Sequence, residues 1–413
     1  MHKIFQPIKP IIDFGALLEP GSLSSMRKNI TRRSASKYLS VTAAGVDSIV
    51  EPLQVLTSKN ASIEKLKLER KELREKLKTA NNPDKSSIIE ITTQIDALRE
   101  EAFSLEDQVV PVLLNLPNTL SEDVPETDTI IREANMDLME RDRPFKQLDY
   151  RQLSYINESV FASLVGPESL YETGRLARIR YSIIEKFSDY LRQNAFFEFS
   201  GLDFTKSAVV EAVRCRKDCD YDSDPYRIER GFDGGAEAQH LHLSGESSLE
   251  SFCAYASKVA WKSDKTMRFF AAGSEYCKTE VAPVQSHCIR TYSLLNECDN
   301  MHKEVERLTE IAWNLYPGLP VPVRGVAISA GNLMPNEASR FDVLVYHPAR
   351  KEWKRVAYVA NYTDFLPMRL GIESRQFVSS VIVDSRILTQ AIVEINQTEN
   401  GSFIVPEGFD IFE

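Results

Sequence analysis

The chain has 413 residues, 43% of them hydrophobic, and a formal net charge of −10, enough to bury one sizeable core and one or two smaller units. Its longest apolar runs, such as residues 109–114, fall far short of the roughly 20 residues that span a bilayer, so no membrane partner is expected. Six cysteines, all between Cys215 and Cys298 and none in a CxxC pair, are too sparse for a disulfide scaffold and fit a reducing compartment.

The charge is unevenly spread. Residues 1–45 carry Lys3, Lys9, Arg27, Lys28, Arg32, Arg33 and Lys37 against only Asp13 and Glu19. The acid-free, Ser- and Arg-rich stretch 22–37 has the character of an organellar transit peptide, but the apolar run 8–18 ahead of it favours a basic surface of the mature protein.

Between residues 53 and 109 two runs with heptad spacing flank a break at Asn81-Asn82-Pro83, which predicts an antiparallel helical hairpin. In the second run Ile88, Ile91, Ile95, Leu98, Ala102, Leu105 and Val109 alternate steps of three and four, the seam of a coiled coil. In the first, Ile63, Leu66, Leu73 and Leu77 hold the seam and Arg70 interrupts it, its stem laid along the apolar stripe. Such an arm is too thin to hold a catalytic site. Its first helix is basic, with eight basic and four acidic residues at 57–79, and its second acidic, with two and six at 85–109. Lys67, Lys71, Arg74 and Lys78 recur at steps of four, three and four, which places them on one face. A stripe of that kind either follows a phosphate backbone or faces water beside the acidic second helix.

Residues 111–125, with Pro111, Pro117 and Pro125, read as a linker. Helical spacing returns at 176–191, followed by Phe196, Phe197 and Phe199. Period-two runs at 341–346 and 356–361 and an apolar helical run at 387–395 predict an α+β fold, an antiparallel sheet with helices on one side. Cys215, Cys219, His240 and His242 are the one set with enough zinc-type ligands, but the CxxxC spacing is poor for zinc, and no metal site is expected. No GxSxG, HExxH or P-loop pattern occurs.

The end of the chain carries the most specific signal. ANYTDFLPMRLGI, residues 360–372, resembles the seryl-tRNA synthetase segment SNxTDFQARRLxI. SRILTQAIVEINQTENGSFIVPEGF, residues 385–409, resembles that family's closing helix and strand, GRxLxAxxExxQxxDGxxxVPxxL. Upstream, LLNLPNTLSEDVP at 113–125 is similar to the exit of its arm, and ETGRLARIRYSIIEKFSDYLRQNAFFEF at 172–199 to the helix that opens its catalytic core. The resemblance implies a class II aminoacyl-tRNA synthetase-like antiparallel sheet flanked by helices, with an N-terminal antiparallel coiled-coil arm that holds the long variable arm of serine tRNA. It divides the chain into a tRNA-binding domain at 1–110 with its hairpin at 53–109, a linker at 111–125, and a class II synthetase-like domain at 126–413.

Serine activation needs charge stabilisation at the ATP phosphates, which this family supplies with arginines and carboxylate-bound magnesium. Carried onto this sequence, the positions are altered. The motif 2 segment FRxE falls on residues 276–280, where its arginine becomes Cys277 or Lys278. The following RVHQFxKVE strand falls on 284–292; His287 is kept, but the arginine is Gln285, the lysine Thr291 and the glutamate Ser293. The magnesium positions fall on Val356 and Val359, a neighbouring glutamate on Leu344, and the asparagine of the serine pocket on Val378. Ser244-Gly245-Glu246 resembles the family's TAE loop, and Arg386 is its motif 3 arginine. The motif 1 proline has no counterpart, since no proline occurs between Pro167 and Pro225.

The expectation is a protein with no catalytic residues and no cofactor, similar to a mitochondrial branch of the family that does not aminoacylate. That resemblance implies the mitochondrial matrix, binding of tRNA(Ser), and a heterodimer with the active mitochondrial seryl-tRNA synthetase. The alternatives are an active, divergent seryl-tRNA synthetase that relies on Lys278 and Arg386, or a non-catalytic nucleotide- or amino-acid-sensing module.

Overall fold

The computed structural model describes residues 17–34, 39, 41–78, 86–139, 145–153, 171–214, 225–228, 240–259, 265–278, 283–296, 300–372, 376–407 and 409. The chain divides into two compact units, Ile12–Pro117 and a larger one that contains Asn118–Glu413.

The smaller unit holds α1 (Pro20–Arg32), α2 (Ala43–Lys78) and α3 (Ser86–Leu114). α2 and α3 run antiparallel. Val46, Ile49 and Leu53 share a cluster with Val109 and Leu113, while Leu56 and Ile63 meet Ile91, Ile95 and Ala102. Leu66, Leu73, Leu98 and Leu105 are partly buried against the second cluster, as the heptad spacing predicts, and a Lys59–Glu101 ion pair joins the helices. Arg70 is half-buried. The break at 81–83 and the side chain of Leu77 lie outside the described residues.

Both helices extend beyond their predicted ends. α2 passes through Pro52 and α3 through Pro111, so the predicted linker begins inside a helix. Interior proline removes a backbone hydrogen bond and costs about 3 kcal/mol. Burial of Ile49, Leu53 and Leu56 around Pro52, and of Val109 and Leu113 around Pro111, opposes that cost.

The larger unit runs β1 (Thr129–Ala134), α4 (Arg175–Gln193), β2 (Phe197–Glu198), β3 (Phe204–Lys206), α5 (Ser207–Arg214), β4 (Tyr226–Arg227), β5 (Leu241–Leu243), α6 (Leu249–Ala256), β6 (Met267–Lys278), β7 (Pro283–Leu295), α7 (Met301–Asn314), β8 (Val323–Ala327), β9 (Ser339–His347), β10 (Glu352–Thr363), α8 (Phe365–Leu370), β11 (Gln376–Asp384) and α9 (Ser385–Ile395). Among the described residues the main sheet has the order β1-β8-β9-β10-β11-β7-β6-β2, and β3-β5-β4 form a small second sheet. All neighbours in the main sheet are antiparallel except β2, which runs parallel to β6. The long segment between those two strands supplies the crossover a parallel pair needs.

Helices cover both faces of the sheet rather than one. Ile179 and Ile183 of α4, Leu308 and Ile311 of α7 and Leu388 and Ile392 of α9 share one core with Ile289, Val343 and Val359. Val209 and Val213 of α5, Phe252 of α6 and Leu366 and Leu370 of α8 share the other with Ala271, Tyr292 and Phe377. β11 is accordingly buried without a break from Phe377 to Val383, Ser379 and Ser380 included, since a strand covered on both faces shows no alternation.

The family-like segments pin the chain to this sheet. Asn118 donates through Nδ2 to the carbonyls of Asn336 and Tyr362, each at 2.9 Å. Gln397 accepts from the Leu148 backbone N–H at 2.9 Å and donates back to its carbonyl.

Candidate functional site

On the face covered by α5 and α6 lies a cavity of about 300 Å³, lined by residues of β6, β7, β10 and β11 and by Arg386 at the start of α9. Strand alternation decides which side chains reach it. On β7, Ser286, Cys288 and Arg290 line the cavity, while Ile289 points into the opposite core.

Arg290 organises the floor. Its side chain is 6% exposed, and Nε and Nη2 donate to the two Glu275 oxygens at 2.8 and 3.0 Å. Nη1 donates to the Tyr358 hydroxyl at 2.9 Å. Burial works against the guanidinium charge, but Glu275 and the Tyr358 oxygen hold it, and its pKa lies well above the usual arginine range. Arg355 lies over the same tyrosine, its Cζ 4.9 Å from the ring centroid, with Nη1 3.7 Å from Asp342. At the side, Arg214 Nε donates to Glu250 Oε1 at 2.6 Å, and Glu250 is 1% exposed.

The loop at 244–247 is held against β6. The N–H groups of Ser244 and Gly245 donate to the Asp203 carbonyl, and Tyr276 N–H donates to the Ser244 carbonyl at 3.1 Å. Gly245 has φ +101°, and a Cβ there would stand 2.0 Å from the Ser274 carbonyl oxygen, so only glycine fits. The Glu246 carboxylate covers Gly273; burial, and then the nearby Asp203, push its pKa up. Asp384 caps α9 by accepting from the backbone N–H groups of Arg386 and Ile387 at 3.0 and 3.2 Å, which sets Arg386 at the cavity wall.

Of the candidate positions, Ser244, Cys277, Val356 and Arg386 meet at this cavity. Burial pushes the Cys277 thiol pKa up. The others lie elsewhere. Lys278 stands over the Tyr226 ring, 5.9 Å from its centroid. Gln285 is exposed and donates to Ser274 Oγ at 3.2 Å. Ser293 is buried and donates to Glu304 Oε1 at 2.8 Å. Val359 and Val378 pack in the core on the far face of the sheet, and Leu344 packs beside Val326 and Ile328. The pairing of β9 with β10 shifts between Arg355 and Ala357, and Tyr358 and Arg355 line the cavity where motif spacing had put Val359. Sequence reasoning missed Arg290, Glu275, Arg355 and Tyr358. Arg290 left one signal: it is the sole Asp, Glu, Lys or Arg between residues 281 and 296.

These residues do not fit the magnesium that the resemblance implies. Glu275 is taken up by the buried Arg290 and Glu250 by the half-buried Arg214, and β10 offers Arg355, Val356 and a phenol to a cation that demands several oxygens. Nor does the zinc set assemble. His242 Nε2 lies 2.9 Å from Ser207 Oγ, Cys215 and Cys219 lie outside the described residues, and no group of three potential ligands occurs among the described ones.

On the arm, Lys71 and Arg74 are exposed and have no partner among the described residues. Lys67 pairs with Glu64 of its own helix rather than with α3. Arg70 lines the same shallow depression as these three cations, and the Lys78 side chain lies outside the described residues.

The antiparallel sheet with its flanking helices is a class II aminoacyl-tRNA synthetase-like fold. The seryl-tRNA synthetase of Pyrococcus horikoshii has the same fold, with TM-score 0.78 at 18% identity over 96% of this chain and 97% of that one. No family model matches the chain. In sequence it is 19% identical over 400 residues to the serine–tRNA synthetase-like protein Slimp of Drosophila melanogaster, covering 89% of this chain and 79% of Slimp. It is 22% identical over 422 residues to the serine–tRNA ligase of Brachyspira hyodysenteriae, covering 94% and 96%. In sequence the chain is thus similar, at low identity over most of its length, to seryl-tRNA synthetases and a synthetase-like relative, and it has their fold.

Removing one partner of a buried ion pair leaves an uncompensated charge, which typically costs about 3–5 kcal/mol. Glu275→Gln is therefore expected to destabilise the larger unit by about that amount in urea unfolding, and Glu275→Leu combined with Arg290→Met to recover most of it. A single variant as stable as the parent contradicts the role given to the pair.

Proposed function

We propose that this chain is a seryl-tRNA synthetase-like protein that does not activate serine, binds tRNA(Ser) through its arm, and pairs with the active mitochondrial seryl-tRNA synthetase in the mitochondrial matrix. The observation that carries the first part is the cavity wall: Arg290 and Arg355 on Tyr358, with Glu275 and Glu250 already neutralised. Activation needs groups that stabilise charge as it develops on the phosphates, and each lost donor typically costs about 3–4 kcal/mol of that stabilisation. Lys278, the substitute on which an active enzyme would rely, stands at Tyr226 and does not line the cavity. The similarity to Slimp, whose name marks it as synthetase-like, agrees with this reading.

RNA binding is supported by the unpartnered Lys71 and Arg74 beside Lys67 and Arg70. Pairing is supported by apolar side chains exposed at and beyond the β2 edge: Phe197, Leu202, Phe204 and Tyr255, between 42% and 74% exposed. A short edge strand with exposed aromatic groups is an interaction surface unless something covers it. A similar fold in the active enzyme offers a matching one.

Four phosphate contacts from Lys67, Lys71, Arg74 and Lys78 give a slope of about −3 in log affinity for tRNA(Ser) against log salt. Changing all four to Glu is expected to weaken binding and flatten that slope in filter binding; unchanged affinity means the stripe only faces water. Co-expression with the active synthetase followed by native mass measurement is expected to show a one-to-one mixed species, and homodimers of each protein alone exclude the pairing.

A further inference from the structure

Arg386, Gln390 and Glu394 follow one another at steps of four on α9, forming one stripe about 12 Å long at about 1.5 Å rise per residue. The stripe lines a second cavity of about 160 Å³, together with Asp149, Arg350 and Lys354. Arg386 borders this cavity and the one described above.

Most of its charges have partners. Arg350 pairs with Asp149, and Lys354 Nζ lies 3.1 Å from Glu352 Oε1. Three polar side chains on the stripe keep an atom with no hydrogen bond among the described residues. Glu394 is 2% exposed; its Oε1 accepts from the Tyr150 backbone N–H at 3.1 Å, but its Oε2 has no hydrogen-bond partner among the described residues. The nearby His347 Nδ1 is 3.7 Å from Oε2, beyond hydrogen-bonding reach. At the other end, Arg386 Nε is buried and equally unpartnered, and Gln390 between them makes no hydrogen bond among the described residues.

An unmet buried donor or acceptor costs about 1–3 kcal/mol, more when charged, and native structures seldom leave one without cause. Two of opposite sign, at the two ends of one cavity, define a ligand. A simple anion at Arg386 leaves the Glu394 carboxylate unmet, and a simple cation at Glu394 leaves the guanidinium unmet. The volume corresponds to roughly five waters at about 30 Å³ each, room for a small organic molecule. We infer that this cavity binds a small elongated zwitterion, with its ammonium on Glu394, its carboxylate on Arg386 and its middle beside Gln390.

The test is calorimetric titration of the full chain with 6-aminohexanoate, hexanoate and hexylamine. Saturable one-to-one binding of 6-aminohexanoate is expected, with hexanoate and hexylamine each weaker by about tenfold or more, since each forfeits one charged contact. Arg386→Gln is expected to weaken 6-aminohexanoate by a similar factor and to leave hexylamine unchanged. Glu394 also anchors Tyr150, so Gln390→Leu, at a half-buried position, serves as the second variant and is expected to weaken 6-aminohexanoate without lowering the melting temperature. Hexanoate binding as tightly as 6-aminohexanoate, or no saturable binding by any of the three, overturns the assignment.

Discussion

A guanidinium buried between strands keeps its charge only beside a carboxylate, and in this chain Arg290 meets that constraint by taking Glu275 for itself. Arg290, Val381 and Tyr358 stand in one row across β7, β11 and β10, so the arginine reaches over Val381 to the tyrosine hydroxyl. Glu275 comes from β6, farther along the neighbouring strand. One side chain thus ties the cavity sides of three strands together. Glu275 and Glu250, two carboxylates that line the cavity, are both held by arginines.

That arrangement bears directly on chemistry. A synthetase site must keep charges uncommitted until the phosphates arrive, because only interactions that strengthen in the transition state accelerate the reaction. Here two carboxylates are bound to arginines 2.6 to 3.0 Å away, and freeing either one means leaving a buried charge alone. The fold itself rests on the packing of strands and helices and not on the charges of the cavity. Ser244, the Gly245 turn and the Asp384 cap of α9 frame the cavity through backbone hydrogen bonds.

Much of the architecture is legible in the sequence. Heptad steps from Ile88 to Val109 give α3, and the spacing from Leu176 to Leu191 gives α4, because each pattern reports a buried helical face. The continuation of the helices through Pro52 and Pro111 is not legible, since local proline preference is overridden by burial of the neighbouring apolar residues. Helices on both faces of the sheet are hard to foresee, because α5 and α6 are short and their strands lack alternation. At the site, motif spacing finds Ser244, Cys277, Val356 and Arg386, but it counts along β10 as though the strand were regular. Arg290 and Glu275 are invisible as a pair, because four register steps separate them across two strands and no local pattern couples them.

The smaller unit carries exposed cations along one helix, and the larger has the fold of seryl-tRNA synthetases with two cavity carboxylates held by arginines. Serine-dependent exchange of pyrophosphate into ATP by the isolated chain, with the active synthetase absent, separates a binding protein from a divergent catalyst most directly. The proposed reading predicts no exchange above background; exchange that requires serine contradicts it.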